Sequence, residues 1–109
     1  MGVQAFTQMG NTVAFTANVS APTAVQAISS TLGGNQYRII NNGTATVFLG
    51  YGTTASQAAN NAAVVSTTGP SIPILPGTDE ILTFVPNAYF TGITSTGNAT
   101  IYVTPGDGL

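Results

Sequence analysis

The charged residues are the first place to look for chemistry, because they are few and two of them are adjacent. The chain of 109 residues contains one basic residue, Arg38, and three acidic residues, Asp79, Glu80 and Asp107. Paired carboxylates can act as general acid and base or hydrolyse glycosides. Neighbours on a β-strand point to opposite faces, however, so Asp79 and Glu80 are not expected to share a site. They also match no calcium-loop pattern, and we expect neither an enzyme nor a metal site.

The residue types that are missing exclude further classes of function. The chain contains no cysteine, histidine or tryptophan. Zinc, haem and iron–sulfur centres therefore lack their usual ligands, and a Ser-His-Asp or Cys-His nucleophile cannot form within one chain. A single arginine without lysine cannot neutralise a row of phosphates or form a polybasic membrane patch. We expect no cofactor, no nucleic-acid partner and no membrane partner.

Arg38 has two interpretations that the sequence leaves open. It can form an ion pair with Asp79 or Glu80, in its own chain or in a neighbouring copy, or it can lie exposed to solvent. An exposed pair contributes about 0–1 kcal/mol, whereas a desolvated pair at an interface fixes register.

Four aromatic residues also have two interpretations. Aromatic side chains that lie together can form a sugar-binding platform, but at strand positions they more often belong to a core or an interface. The residues concerned are Tyr51, Tyr89, Phe90 and Tyr102.

The elements that must position these residues are predicted to be β-strands. Short apolar runs alternate with Gly, Pro and Asn, which is typical of an all-β chain. The predicted strands are 13–19, 25–29, 36–41, 46–51, 80–85, 88–93 and 99–104, with a short one at 64–67 and an edge or loop segment at 72–75. The Asn-Gly turn at 41–43 predicts a hairpin that joins its two flanking strands. The alanine-rich segment 53–63 predicts a turn of helix capped by Thr53 or Thr54.

About eight strands separated by frequent turns predict a single-domain antiparallel sandwich, with a jelly roll as the preferred topology and an immunoglobulin-like sandwich as the alternative. Residues 1–12 show little periodicity and are predicted to be an N-terminal arm, with the β-sandwich domain at 13–109. The predicted core residues are Phe15, Val19, Ile28, Tyr37, Ile39, Val47, Leu49, Leu82, Phe84, Ile101 and Val103.

Four segments resemble small virion proteins of tailed bacteriophages. They are LGGNQYRIINNG at 32–43, VFLGYG at 47–52, LPGTDEILTF at 75–84 and VTPGDGL at 103–109. The resemblance implies a short jelly-roll capsid decoration protein, also called a cement protein, which binds the outside of the expanded head and bridges neighbouring major capsid subunits. It offers no catalytic residues to carry over.

The partners that follow are the major capsid protein and other copies of the chain, in a dimer or trimer. The expected location is the outer capsid surface of the virion, after synthesis in the host bacterial cytoplasm, because the first residues lack the pattern of a signal peptide. Two alternatives from other classes are a carbohydrate-binding or adhesion module of a phage tail or fibre, and a small carboxylate hydrolase.

Contacts with the capsid or between subunits are expected mainly in irregular segments, because loops on a rigid scaffold often carry function. The segments are 1–12, 53–63 and 69–78. The individual interface candidates are Val3, Phe6, Met9, Arg38, Asp79, Glu80 and Tyr89.

Overall fold

The computed structural model describes residues 7–8, 10–28, 35–62 and 71–107. Within these ranges the chain forms nine strands and one helix. The strands are β1 (Thr7–Gln8), β2 (Val13–Ala17), β3 (Val25–Gln26), β4 (Gln36–Asn41), β5 (Val47–Gly52), β6 (Ile72–Ile74), β7 (Asp79–Thr83), β8 (Tyr89–Ile93) and β9 (Ala99–Asp107), and the helix is α1 (Ala55–Asn61).

The strands pair in a nested order that identifies the topology. Strand β2 pairs with β9, β3 with β8, β4 with β7 and β5 with β6, and every pair is antiparallel. This nested ribbon folds into two sheets, one ordered β1-β9-β4-β7 with β2 also on β9, and the other ordered β3-β8-β5-β6. We call them sheet A and sheet B. The predicted all-β jelly-roll sandwich is thereby confirmed.

The hydrophobic core lies between the two sheets, where side chains alternate with more exposed ones along each strand. Most of the predicted core residues are buried. They are Phe15, Tyr37, Ile39, Val47, Leu49, Ile101 and Val103. Leu82 and Phe84 are partly buried and pack against this core.

Two of the predicted core residues are wrong. Val19 and Ile28 are 60% and 57% exposed. Strand β2 ends at Ala17, so its alternation stops before Val19. Ile28 directly follows the fully buried Ala27, so its side chain points to the opposite side. The sequence interpretation also missed Ile74 and Phe90, which are fully or almost fully buried.

The predicted hairpin at residues 41–43 is also wrong, because β4 and β5 belong to different sheets. Asn41 is fully buried, and its Nδ2 donates to the carbonyls of Ala45 and Ile74, each at 2.9 Å. Its Oδ1 accepts from the Gly43 backbone N–H at 3.0 Å. The Asn-Gly signal therefore marks a turn, but one that carries the chain from sheet A to sheet B.

The helix occupies the predicted alanine-rich segment and packs on sheet B. Thr54 is its N-cap and accepts from the backbone N–H of Gln57. Gly50 lets the helix approach closely, because a Cβ at this position would overlap the backbone of Ala58 and Ala62. Segment 72–75 is confirmed as an edge element, since β6 is the last strand of sheet B.

Strand β9 runs beyond its predicted end at residue 104 to Asp107. Pro105 lies opposite the interruption between β1 and β2, because these strands pair with residues 106–107 and 99–103 of β9. A strand residue without an N–H is tolerated best at such an interruption. The predicted short strand at 64–67 lies outside the described residues.

Candidate functional site

The outer surface of sheet A is the first candidate. The inward side chains of its strands form the core, so the alternate positions face outward, and the strand register places them in rows across the sheet. We call this surface the open face. Its described members are Ala14, Thr16, Gln36, Arg38, Ile40, Asp79, Ile81, Thr83, Thr100, Tyr102 and Thr104. Ile81 and Tyr102 are its large exposed apolar side chains, at 40% and 37%.

Arg38 and Asp79 form an ion pair on the open face, within one chain. Arg38 Nε donates to both carboxylate oxygens of Asp79, at 3.1 and 3.0 Å, and a terminal guanidinium nitrogen also donates to Oδ2. The hydrogen bonds from Arg38 lower the pKa of the Asp79 carboxyl, and the carboxylate raises the pKa of Arg38. About half of each side chain remains exposed, so the pair neutralises the open face without being buried.

Glu80 is separated from Asp79 as the strand geometry predicts. It lies opposite Ile39, which is fully buried, so its position belongs to the inward side of sheet A. Glu80 is nevertheless exposed, because β7 is an edge strand. An inward charge on an edge strand opposes pairing with another sheet edge, which is a structural role. The two carboxylates do not form a common site.

The other interface candidates are not brought to the open face. Tyr89 is half-buried in β8 of sheet B, opposite Gly52 of β5. Val3, Phe6 and Met9 lie outside the described residues. Of the described candidates, Arg38 and Asp79 are therefore in contact on the open face. Glu80 lies on the same edge strand as Asp79 but at a position of the opposite side of the sheet.

The four aromatic residues considered as a sugar-binding platform do not share one exposed surface. Phe90 is fully buried and packs edge-to-face against Tyr37, with ring centroids 4.8 Å apart. Tyr102 lies on the open face, whereas Tyr51 packs edge-to-face against Phe84 at 4.7 Å. Tyr51 and Phe90 stack with ring centroids 6.1 Å apart, but Phe90 is buried and Tyr102 lies on the other sheet, so the four form no common exposed platform and the core interpretation holds for Phe90.

A pocket of about 210 Å³ lies where β5, α1 and the end of β7 meet. It is lined by two aromatic side chains, Tyr51 and Phe84, and by two amides, Gln57 and Asn61. The sequence interpretation missed both amides. Their spacing of four residues within an alanine-rich segment was the available signal, since such a pair lies on one face of a helix.

Among the described residues, no three acidic, cysteine or histidine side chains come together as a possible metal site. No helix of that part of the chain is long and apolar enough to span a membrane. Comparisons with protein families, with curated proteins and with solved structures find no match for this chain.

Proposed function

We propose that this protein decorates the exterior of a bacteriophage capsid and cements it by bridging major capsid subunits. The open face is the observation that carries the proposal. It offers a continuous sheet surface on which the apolar side chains of Ile81 and Tyr102 are exposed beside threonine hydroxyls. The resemblance of four sequence segments to phage virion proteins and the jelly-roll fold support the same function.

The charge of the open face suits a crowded surface. Arg38 and Asp79 neutralise each other, so neighbouring copies on a capsid would not repel one another through this face. Threonine hydroxyls donate and accept hydrogen bonds, and the apolar side chains gain free energy when they lose contact with water. Each contact is weak, but a subunit that bridges two capsid sites binds the second at high effective concentration.

The proposed partners are the major capsid protein and further copies of this chain, as a dimer or trimer on the outer surface of the virion. Most closed homo-oligomers are symmetric, so each subunit of a cement dimer or trimer on a symmetry axis presents the same face to its own capsid neighbour. The open face is then repeated around the axis, and the weak binding contributions of the copies add up.

The direct test mixes purified protein with expanded heads that lack decoration and measures bound copies by sedimentation and cryo-electron microscopy. We expect added density on the outer surface, with the open face toward the capsid. Ile81→Thr removes exposed apolar area from this face and should weaken binding about tenfold.

Leu75→Thr is the matched control, because Leu75 is 57% exposed but follows β6 of sheet B. It should leave binding unchanged if the open face makes the contact. A loss with Leu75→Thr alone would place the contact in the predicted segment 69–78. Absence of binding by the wild-type protein would overturn the proposal.

A further inference from the structure

The pocket between β5, α1 and Phe84 combines hydrogen-bonding groups with aromatic walls, and nothing in the capsid proposal requires it. The four described residues that line it are uncharged, so these side chains suit a neutral ligand. Its volume of about 210 Å³ is smaller than that of pockets for drug-sized molecules, which occupy about 300–1,000 Å³. A ligand with a single ring matches this size.

The orientation of both amides is fixed by their partners. Gln57 Oε1 accepts hydrogen bonds from the backbone N–H of Thr53 at 2.6 Å and from its hydroxyl at 3.1 Å. Asn61 Nδ2 donates to the backbone carbonyl of Tyr51 at 3.1 Å. A backbone N–H can only donate and a carbonyl can only accept, so neither amide can be reversed without losing its bond.

The remaining end of each amide is left for a ligand to bond. Gln57 Nε2 is a donor and Asn61 Oδ1 is an acceptor, and neither makes a hydrogen bond to another described residue. A hydroxyl group is neutral and can both accept from the first and donate to the second. A ligand that carries neighbouring hydroxyl groups therefore satisfies both amides at once.

The aromatic walls add a requirement for an apolar surface. The rings of Tyr51 and Phe84 are nearly perpendicular, at 85°, and each is only partly buried. The C–H groups of a saturated ring can pack against such walls while its hydroxyl groups reach the amides. A sugar ring has both features, because its ring C–H groups form an apolar surface and its hydroxyl groups project from the edge of the ring.

We propose that this pocket binds one neutral sugar ring of a glycan, with Gln57 and Asn61 holding its hydroxyl groups and Tyr51 and Phe84 contacting its C–H surface. The proposal differs from the predicted four-aromatic platform in position and residues, since it shares only Tyr51 with it. It does not depend on capsid binding, so either proposal can fail while the other stands.

The test is a nuclear magnetic resonance titration of the full chain with single neutral sugars: glucose, galactose, mannose and N-acetylglucosamine. The side-chain amide signals of Gln57 and Asn61 report directly on the pocket. We expect at least one sugar to shift both signals in a saturable manner. Adenine and glucuronate serve as planar and charged comparisons and should shift them less.

The decisive variant is Gln57→Glu, which keeps the Oε1 acceptor for Thr53 but replaces the Nε2 donor. It should weaken sugar binding about tenfold or more, because the lost donor is replaced by a second acceptor. Asn60→Asp is the control, since Asn60 is exposed on the same helix, lies outside the pocket and gains the same charge.

Circular dichroism and the melting temperature of both variants establish that they are folded. Equal weakening by both variants would overturn the assignment to Gln57. A stronger response to adenine or glucuronate than to every neutral sugar would overturn the ligand class, and no response to any sugar would overturn the proposal itself.

Discussion

At the scale of single residues, Tyr37 connects the inner face of β4 to the loop between β7 and β8 through hydrogen bonds of its hydroxyl group. Its ring is fully buried, and its hydroxyl donates to the Val85 carbonyl and accepts from the Ala88 backbone N–H. Burial raises the pKa of this hydroxyl, so it remains a donor throughout the ordinary pH range. Tyr37 therefore helps to hold the loop that leads from sheet A to sheet B, together with Gln26, whose Nε2 donates to the Asn87 carbonyl at 3.0 Å.

We expect Tyr37→Phe to lower the free energy of unfolding by about 1–3 kcal/mol, because it leaves a buried backbone N–H without a partner. Urea unfolding followed by circular dichroism measures the effect. Tyr102→Phe is the control, since Tyr102 is exposed on the open face, and it should change stability by less than about 0.5 kcal/mol. Equal effects of the two variants would contradict this role of Tyr37.

The ion pair between Arg38 and Asp79 predicts a small dependence of stability on pH. The pKa of Asp79 lies below its ordinary value of 3.8 in the folded chain, so the folded chain binds fewer protons than the unfolded one around this value. The contribution to stability is therefore present above the ordinary pKa and disappears as the pH falls through the lowered one.

Wild type should be slightly more stable than Asp79→Asn near pH 7, and the two should converge near about pH 2. Urea unfolding at a series of pH values measures the difference. Arg38→Gln should show the same loss, and the double variant should lose no more than either single variant. A difference that persisted at low pH would show that Asp79 acts through contacts other than its charge.

At the scale of elements, Gly50 controls the position of the helix. We expect Gly50→Ala to destabilise the protein by about 1–3 kcal/mol, because its Cβ would overlap the backbone of Ala58 and Ala62. Urea unfolding and the sugar titration should both respond, since α1 supplies Gln57 and Asn61. Ser56→Ala, at an exposed helix position, should change neither. An unaltered Gly50→Ala protein would show that α1 can move away at little cost.

The elements also show what could be predicted from the sequence. Strand β4 is predicted with the bounds that the structure has, because its alternation is strong and a turn follows it. The strands that pair with β4 could not be predicted from the residues next to it in sequence. The turn after β4 leads to the other sheet, where the Asn41 side chain donates to the Ile74 carbonyl. A local pattern specifies a strand and a turn, whereas pairing depends on residues far along the chain.

The same limit applies to the candidate site. Alternation predicted that Asp79 and Glu80 would separate, and the residue inventory allowed Arg38 to pair with Asp79. The pocket could not be predicted, because it joins Phe84 to α1 across many intervening residues. The alanine-rich composition of segment 53–63 predicts a helix. It does not predict that Gln57 and Asn61 on this helix face a pocket.

At the scale of the whole molecule, the C-terminal strand completes the fold. Strand β9 pairs with β1, β2 and β4, and it contributes Ile101 and Val103 to the core. In the nested topology it meets β2 from the opposite end of the chain, as in the pairing of Val13 with Val103. Closing such a large loop costs entropy that only the completed sheet offsets.

We therefore expect a chain that ends at residue 98 to remain unfolded, because it loses the central strand of sheet A and part of the core. Circular dichroism and amide hydrogen exchange would show the loss of strand signal and of protection. Adding a peptide of residues 99–109 should restore both in proportion to its concentration, since the peptide can supply the missing strand.

A chain that ends at residue 107 is the control for this truncation, because it retains all of β9. It should fold with the wild-type strand signal. If the chain ending at residue 98 kept native protection in β4 and β7, sheet A would be stable without its central strand. That result would mean that the local pairing of β4 with β7, and not closure by β9, determines when the jelly roll forms.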